Sequence, residues 1–419
     1  MSEKAAAGQP GTGAGQSDTG AHGAELAHSE IASDSPPALF QTVTIVNHPA
    51  AGNPLLACVT RRTYTFTPAG KVSVADTQAP LTIEPVLSDH PIDACAKLLD
   101  DTDLVAPKEY TDIILTGTAC SKKRTKEIFV AIALGKAVRR LRVSGVRRAE
   151  VSADGAVKFT PAEGFERLPL LPDLAYGGYD EFAQDRLAPP QIEHIYMLGH
   201  KPVGLFAYPR NSAGMAYLID VERRRADGAL LPQIEDPSDA LTPERFFVPV
   251  PEAWMDAPIA ALTGFLPHAS YPRFVRFFGD LLPHLPPQRK IREIDLGCGA
   301  DLADLAPLGQ GEIHARALQS ASPGLAVERL RGDELCILQN LSPEAEEIRL
   351  SLPGESPRLS LQVPDIKKTF TPKPVLQTVR VDADKRELSL TWCATVPLLS
   401  RAQSSFLEQC DLAVEWGRL

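Results

Sequence analysis

The chain has 419 residues, 44% hydrophobic and 23% charged, an ordinary globular composition with room for two or three domains. A formal net charge of −10 argues against general nucleic-acid binding, and no apolar run is long enough to span a bilayer. Seven scattered cysteines without a C-x-x-C pair argue against a disulfide framework or a cysteine zinc site, while 37 prolines break long helices in favour of short extended segments.

Residues 1–38 are mostly Gly, Ala, Ser and Asp, too poor in large side chains to bury a core, so a disordered tail is expected there. The tail has no charged-then-apolar signal pattern, and a cytoplasmic location is the expectation. A β-rich domain is expected over 39–242. Phe40, Val43, Ile45 and Val46 form a β-prone run ending at Asn47-His-Pro49. Leu55 to Phe66 forms a second, turning at Pro68-Ala-Gly70 into Val72 and Val74 as a hairpin. Ile128, Val130, Ile132 and Leu134 alternate with Phe129, Ala131 and Ala133, so both faces are apolar and a central strand is predicted. Gly135-Lys136 then suits a type II′ turn, with a return strand carrying Val138, Leu141 and Val143. Asp154-Gly155 marks another hairpin, between Val151 and Val157–Phe159.

The pattern changes over 243–312, a connector expected to be partly helical. Short helices are predicted within Ala257–Leu266 and Tyr271–Leu282, limited by Pro267, Pro272, Pro283, Pro286 and Pro287. Strands return at Glu334–Asn340, Glu347–Leu352, Leu359–Val363, Val375–Val381, Glu387–Val396 and Asp411–Trp416. They predict a C-terminal β-sandwich over 313–419. The fold class expected is thus mainly β, built of antiparallel sheets, with a C-terminal β-sandwich and a short partly helical middle segment.

Several motifs imitate chemistry. Asp295-Leu-Gly-Cys-Gly299 resembles the cofactor loop of S-adenosylmethionine-dependent methyltransferases. However, Gln288-Arg-Lys-Ile-Arg-Glu before it is too charged for a buried parallel strand, and Asp301 stands where a third glycine is needed. The stretch reads as a loop. Glu193, His194 and His200 lack the spacing of a metal site. Cys120 precedes Ser121-Lys-Lys-Arg124, whose cations would activate a nearby thiol, yet a hydrophilic turn explains the same residues. Arg331-Gly-Asp333 is an adhesion-like triplet of the kind that arises by chance. No Ser-His-Asp arrangement or P-loop can be assigned.

Ten cations fall between Lys122 and Arg148, namely Lys122, Lys123, Arg124, Lys126, Lys136, Arg139, Arg140, Arg142, Arg147 and Arg148, against Glu127 alone. Two readings stay open for this run: docking of an acidic partner, or a solvated hairpin edge whose lysines block edge-to-edge pairing.

Taken in order, several segments resemble one bacterial family, first catalogued as a domain of unknown function and found in type VI secretion gene clusters. They are Tyr110-Thr-Asp-Ile-Ile-Leu-Thr-Gly-Thr-Ala-Cys120, Leu141-Arg-Val-Ser-Gly145, Leu168-Pro-Leu170 and Ala175-Tyr-Gly-Gly178. Further along come Leu231-Pro-Gln-Ile-Glu-Asp-Pro237, Leu330-Arg-Gly-Asp-Glu334, and Leu376-Gln-Thr-Val379 with Leu390-Thr-Trp392. Pro172-Asp-Leu174 departs from the family's Tyr-Glu-Arg run, and Asn211-Ser-Ala-Gly214 matches its Asn-Pro-x-Gly loop only in part. The resemblance implies an adaptor or chaperone for a secreted toxin, acting by binding and without a cofactor. Its implied partners are the toxin effector or its spike-tip domain, and the spike protein, with no nucleic acid and no membrane. Rivals are a methyltransferase and a structural component of the secretion machine. The candidate partner interface comprises Arg139, Arg140, Arg142, Arg147, Tyr176, Gly177, Gly178 and Glu235. Gly177-Gly178 is read as a tight turn bringing backbone close to another chain, and Glu235 as the cap of a proline-framed turn.

Overall fold

Alternation sets the first strands. The computed structural model of the protein describes residues 40–46, 55–89, 96–187, 206–266, 318–363, 367–397 and 410–419. In it β1 (Gln41–Val46) lies antiparallel to β2 (Leu55–Phe66), which turns through Gly70 into β3 (Val72–Val74). Gly70 has φ +82°, and a Cβ there would stand 1.8 Å from the Arg349 carbonyl oxygen. The hairpin tip therefore needs glycine for both backbone sign and space.

β4 (Val86–Leu87) pairs with β5 (Leu98–Asp100) as a small separate ribbon. Then come β6 (Thr111–Thr116), β7 (Thr118–Thr125), β8 (Glu127–Leu134) and β9 (Ala137–Ser144). β8 and β9 form the expected hairpin; Gly135 has φ +59° and Lys136 is not among the positive-φ residues, as a type II′ turn requires. Val130, Ile132 and Leu134 are buried and the intervening residues half-buried, in keeping with a central strand. On β9 Leu141 and Val143 are buried, whereas Val138 is 73% exposed. β10 (Ala149–Val151) and β11 (Val157–Phe159) close the hairpin at Gly155, and β12 (Phe165–Pro169) pairs with β7.

The next stretch is made of short pieces: β13 (Tyr176–Gly177), α1 (Glu181–Leu187), β14 (Met215–Ala216), β15 (Leu218–Ile219), β16 (Ile234–Glu235) and β17 (Phe247–Val248). α1 is the one α-helix among the described residues. Asp180 starts it, its carboxylate accepting the Ala183 N–H at 3.0 Å. The helix predicted within Ala257–Leu266 is absent. Ala257 precedes Pro258 and is extended, at ψ 162°. Beyond it Thr263 bonds to β6 instead, the Leu115 N–H donating to its carbonyl at 2.9 Å. Tyr271–Leu282 lies outside the described residues.

Six C-terminal strands appear where expected, β19 (Leu335–Gln339), β20 (Glu347–Ser351), β21 (Glu355–Val363), β23 (Val375–Asp382), β24 (Glu387–Pro397) and β25 (Asp411–Arg418), and two short ones, β18 (Ala326–Val327) and β22 (Lys368–Phe370), were not foreseen. They do not assemble as a sandwich domain of their own. The largest sheet runs β1-β2-β24-β23-β6-β18, with β3 added at β2, and a second runs β16-β9-β8-β19-β20. Each therefore mixes strands from both ends of the chain. The boundaries expected near 242 and 313 divide no sheet, because β2, β6 and β8 have open edges that β24, β23 and β19 fill. Residues Ala38–Leu419 group as one unit. The fold is mainly β and mostly antiparallel, with β6 and β23, β13 and β14, and β15 and β17 paired in parallel.

The large sheet is covered on both faces. On one, Leu56, Cys58, Ala394 and Val396 meet Leu359, Leu361 and Val363 of β21 and Leu412 of β25. Farther along, Tyr64, Phe66, Leu388, Leu390 and Trp392 join Val130, Ile132, Cys336 and Leu338 of the second sheet in the main core. The other face is mixed: Ala57, Val59 and Cys393 pack with Leu81 and Ala106, and beside them Arg61, Thr63, Ser389 and Thr391 are all buried. Arg61 Nη2 pairs with Asp103 Oδ2 at 2.5 Å, with 3% and 2% of the two side chains exposed, and its Nε donates to the Thr391 hydroxyl at 3.1 Å. Asp103 also accepts the Thr82 N–H at 2.7 Å, so the pair ties residues 80–82 to the sheet. Removing one member strands a buried charge. Arg61→Ala is expected to cost about 3 to 5 kcal/mol, read as a lowered urea midpoint with an unchanged slope.

Candidate functional site

The cationic run meets its counter-charges inside the chain. Along β9, Ala137, Arg139, Leu141 and Val143 share one face, and Val138, Arg140 and Arg142 the other. β16 lies beside β9 with Ile234 opposite Val143 and Glu235 opposite Arg142. Arg142 Nη2 and Arg147 Nη2 converge on one oxygen of Glu235, Oε2, at 2.7 and 2.5 Å. The second oxygen accepts the Leu241 N–H at 3.0 Å, so Glu235 does hold its proline-framed turn. Arg139 Nη1 pairs with Asp236 Oδ2 at 2.8 Å. Arg140 is exposed and stacks 3.9 Å from the Phe129 ring centroid. Lys122 and Lys136 pair at the surface with Glu346 and Glu328. β16 flanks β9 opposite β8, but only at Arg142 and Val143.

Burial alone would raise the Asp236 carboxyl. The Ser238 hydroxyl and N–H, with the charge and hydrogen bond of Arg139, outweigh it and hold the group below its ordinary value. Arg139 is itself pulled down by burial against the pull of Asp236.

The Ala175-Tyr-Gly-Gly178 segment sits beside this cluster, with Ala175 bridged to Ile234. Gly177 and Gly178 have φ of +150° and +109°; added Cβ atoms would lie 2.0 Å from Asn211 O and 2.6 Å from Gly214 O. The close approach is therefore to the chain's own Asn211–Gly214 loop, in place of the second chain that was expected. Asn211 Nδ2 donates to Pro172 O at 2.7 Å and Tyr176 O at 3.2 Å, so it clamps the loop from within. The Tyr176 ring is buried edge-on against Tyr208 at 5.1 Å, and burial pushes its phenol well above the ordinary value. Arg210 completes this block, its Nη1 donating to the Tyr208 hydroxyl at 2.9 Å and to Ala257 O at 3.1 Å.

Cys120 is buried, and desolvation raises its thiol despite the opposing pull of Arg167. That is the reverse of an activated nucleophile. Arg331 and Gly332 donate their N–H groups to Glu334, which makes the triplet a turn. Glu193, His194, His200 and the Asp295-Leu-Gly-Cys-Gly299 stretch lie outside the described residues. Among the described residues no cluster of His, Cys, Asp or Glu could hold a metal, and no helix is long and apolar enough to cross a membrane.

One surface feature escaped the sequence reading. A cleft of about 330 Å³ opens between β5, the end of β12, the Ala261–Phe265 segment and the turn after β23. Leu98, Leu170, Leu262 and Phe265 form its lining, and Asp382, Asp384 and Lys385 its polar side. Its volume falls near the lower end of the range for ligand pockets, about 300 to 1,000 Å³.

A sequence model of one family, described as “Uncharacterized protein conserved in bacteria (DUF2169)”, matches residues 51–393. The chain belongs to this family. No curated protein and no solved structure matches it. The DUF2169 match takes in Asp112, Gly177, Asn211 and Glu235, whose side chains or backbones are bonded or packed inside the molecule. Asp112 shows the pattern: fully buried, it binds Lys108 Nζ at 2.6 Å, Gln319 Nε2 at 2.7 Å and the Ser320 N–H at 2.8 Å.

Gly177→Ala should cost about 3 kcal/mol or more, since both backbone sign and space are lost; thermal or urea unfolding would measure it. A second expectation concerns acid. Asp236 is held low in the folded state, so its contribution is complete above the ordinary aspartate value, about 4, and is lost as pH falls below it. The stability margin of the wild-type chain over Asp236→Asn should therefore be constant at neutral pH and shrink below about pH 4. A margin independent of pH would show that the carboxylate contributes no linkage.

Proposed function

We propose that this protein is a cytoplasmic adaptor or chaperone for a type VI secretion toxin. It holds the toxin, through its spike-tip domain, and passes it to the secretion spike. It acts by binding, without a cofactor. The observation that carries the reading is the ordered set of motifs from Tyr110 to Trp392, which resembles the family of type VI clusters. Geometry lends support of a different kind. Cys120, the one chemical candidate among the described residues, has a thiol raised by burial, and Glu235 and Asp236 are engaged by arginines. The cleft, by contrast, offers apolar surface to an incoming chain.

The test is co-expression with the toxin gene that neighbours this one, followed by pull-down and a solubility assay. The toxin and the spike protein are expected to be recovered with the adaptor, and the toxin to precipitate without it. A toxin that is equally soluble and unbound in both cases overturns the proposal.

A further inference from the structure

We propose that the cleft is a socket for one segment of a partner polypeptide, which inserts a large apolar side chain and carries a lysine or arginine beside it. Only the identity of the partner rests on the adaptor reading; the chemistry rests on the cleft.

Shape comes first. Two of the walls are fixed to a single bend, Thr116-Gly-Thr118. The Leu170 N–H donates to Gly117 O at 2.9 Å, and the Ala383 N–H to Thr116 O at 2.9 Å. The Thr118 hydroxyl donates to Asp384 Oδ2 at 2.8 Å. Such walls do not need to form on binding. At the lip Leu99 is 55% and Leu171 45% exposed, and Val86 and Leu87 of the paired strand β4 are exposed as well. Among the described residues few large apolar side chains lie so open, and Leu99 and Leu171 both line this hollow. An inserted leucine or phenylalanine would cover them together.

Charge selects the neighbour. Lys385 pairs with Asp382 at 3.3 Å, and Lys97 with Asp173 at 2.9 Å beside Pro172 of the lining. These pairs cancel, and exposed Asp384 leaves the rim negative. The net charge of −10 draws a basic segment in the same sense.

Fluorescein-labelled decapeptides with a central phenylalanine, flanked by lysines or by glutamates, would be titrated against the full chain by anisotropy. A third peptide replaces the phenylalanine with alanine. The lysine-flanked phenylalanine peptide should bind saturably, and each change should weaken it about tenfold or more. Gly264 lines the cleft and a Cβ there would meet nothing within 4 Å, so Gly264→Phe, which adds a large side chain at the lining, should abolish binding. Asp384→Asn should weaken it several-fold and flatten its salt dependence. Absence of saturable binding to the wild-type chain overturns the proposal, as does equal binding by Gly264→Phe. Should that variant melt early, unchanged affinity in Asp384→Asn has the same force. A concentration-dependent dimer lost in Gly264→Phe would give the cleft to a second copy, and also overturns it. Toxin capture that survives Gly264→Phe leaves the adaptor reading standing and takes the cleft out of it. Peptide binding without toxin capture removes the adaptor reading alone.

Discussion

The register between β2 and β24 is the constraint on which the other sheets depend. It places Arg61 beside Thr391, 330 positions away in sequence, and carries the largest sheet from Leu55–Pro397 to Thr65–Glu387. A one-residue slip of β2 would exchange its two faces. Leu56 and Cys58 would leave the layer they share with Leu359 and Leu361, and Arg61 would enter it. The buried Arg61–Asp103 pair penalises that exchange, because a charge without its partner is costly inside a protein. Such long-range pairing also implies slow folding, since loop closure precedes most of the stabilising contacts.

The same economy of charge explains why the cationic run is quieter than it looks. Arg139, Arg142 and Arg147 each lie about ninety residues from the carboxylates they meet, so a local count of charges sees an excess that the fold removes. Three arginines on two acids hold β16 against β9, and β16 in turn positions Ala175 and the glycine pair. The family motifs in this region mark places where backbones nearly touch or ions are buried. Their shared demand is for a particular packing, and a partner need not touch them.

The strands were legible because alternation and turn chemistry are local. Leu388, Leu390 and Trp392 share a face, Gly135-Lys136 turns as its glycine suggests, and the six C-terminal strands fall within a few residues of their expected limits. Partnership was not legible. Nothing within Glu387–Val396 says that β2 is its neighbour, and so a separate C-terminal sandwich seemed natural. Ala257–Leu266 misled for the opposite reason. Its composition suits a helix, but Pro258 extends its start and the edge of β6 captures Thr263. The cleft was invisible for a similar cause, as its walls come from segments distant in sequence.

That bend deserves a physical reading of its own. Gly117 has φ +155°, and a Cβ there would lie 2.9 Å from the Ala383 side chain, so the bend and the turn after β23 pack more closely than any other residue allows. β6 is buried on both faces just before it, with Ile113, Ile114 and Leu115 all inaccessible. A central strand thus runs straight to the mouth of a surface cleft and ends there. Its rigidity is handed to walls that otherwise belong to loops, which is how a scaffold of sheets can hold an apolar hollow open in water. A partner entering it would lose its own freedom but demand little of the protein's, and the gain from covering the exposed leucines would go largely into affinity.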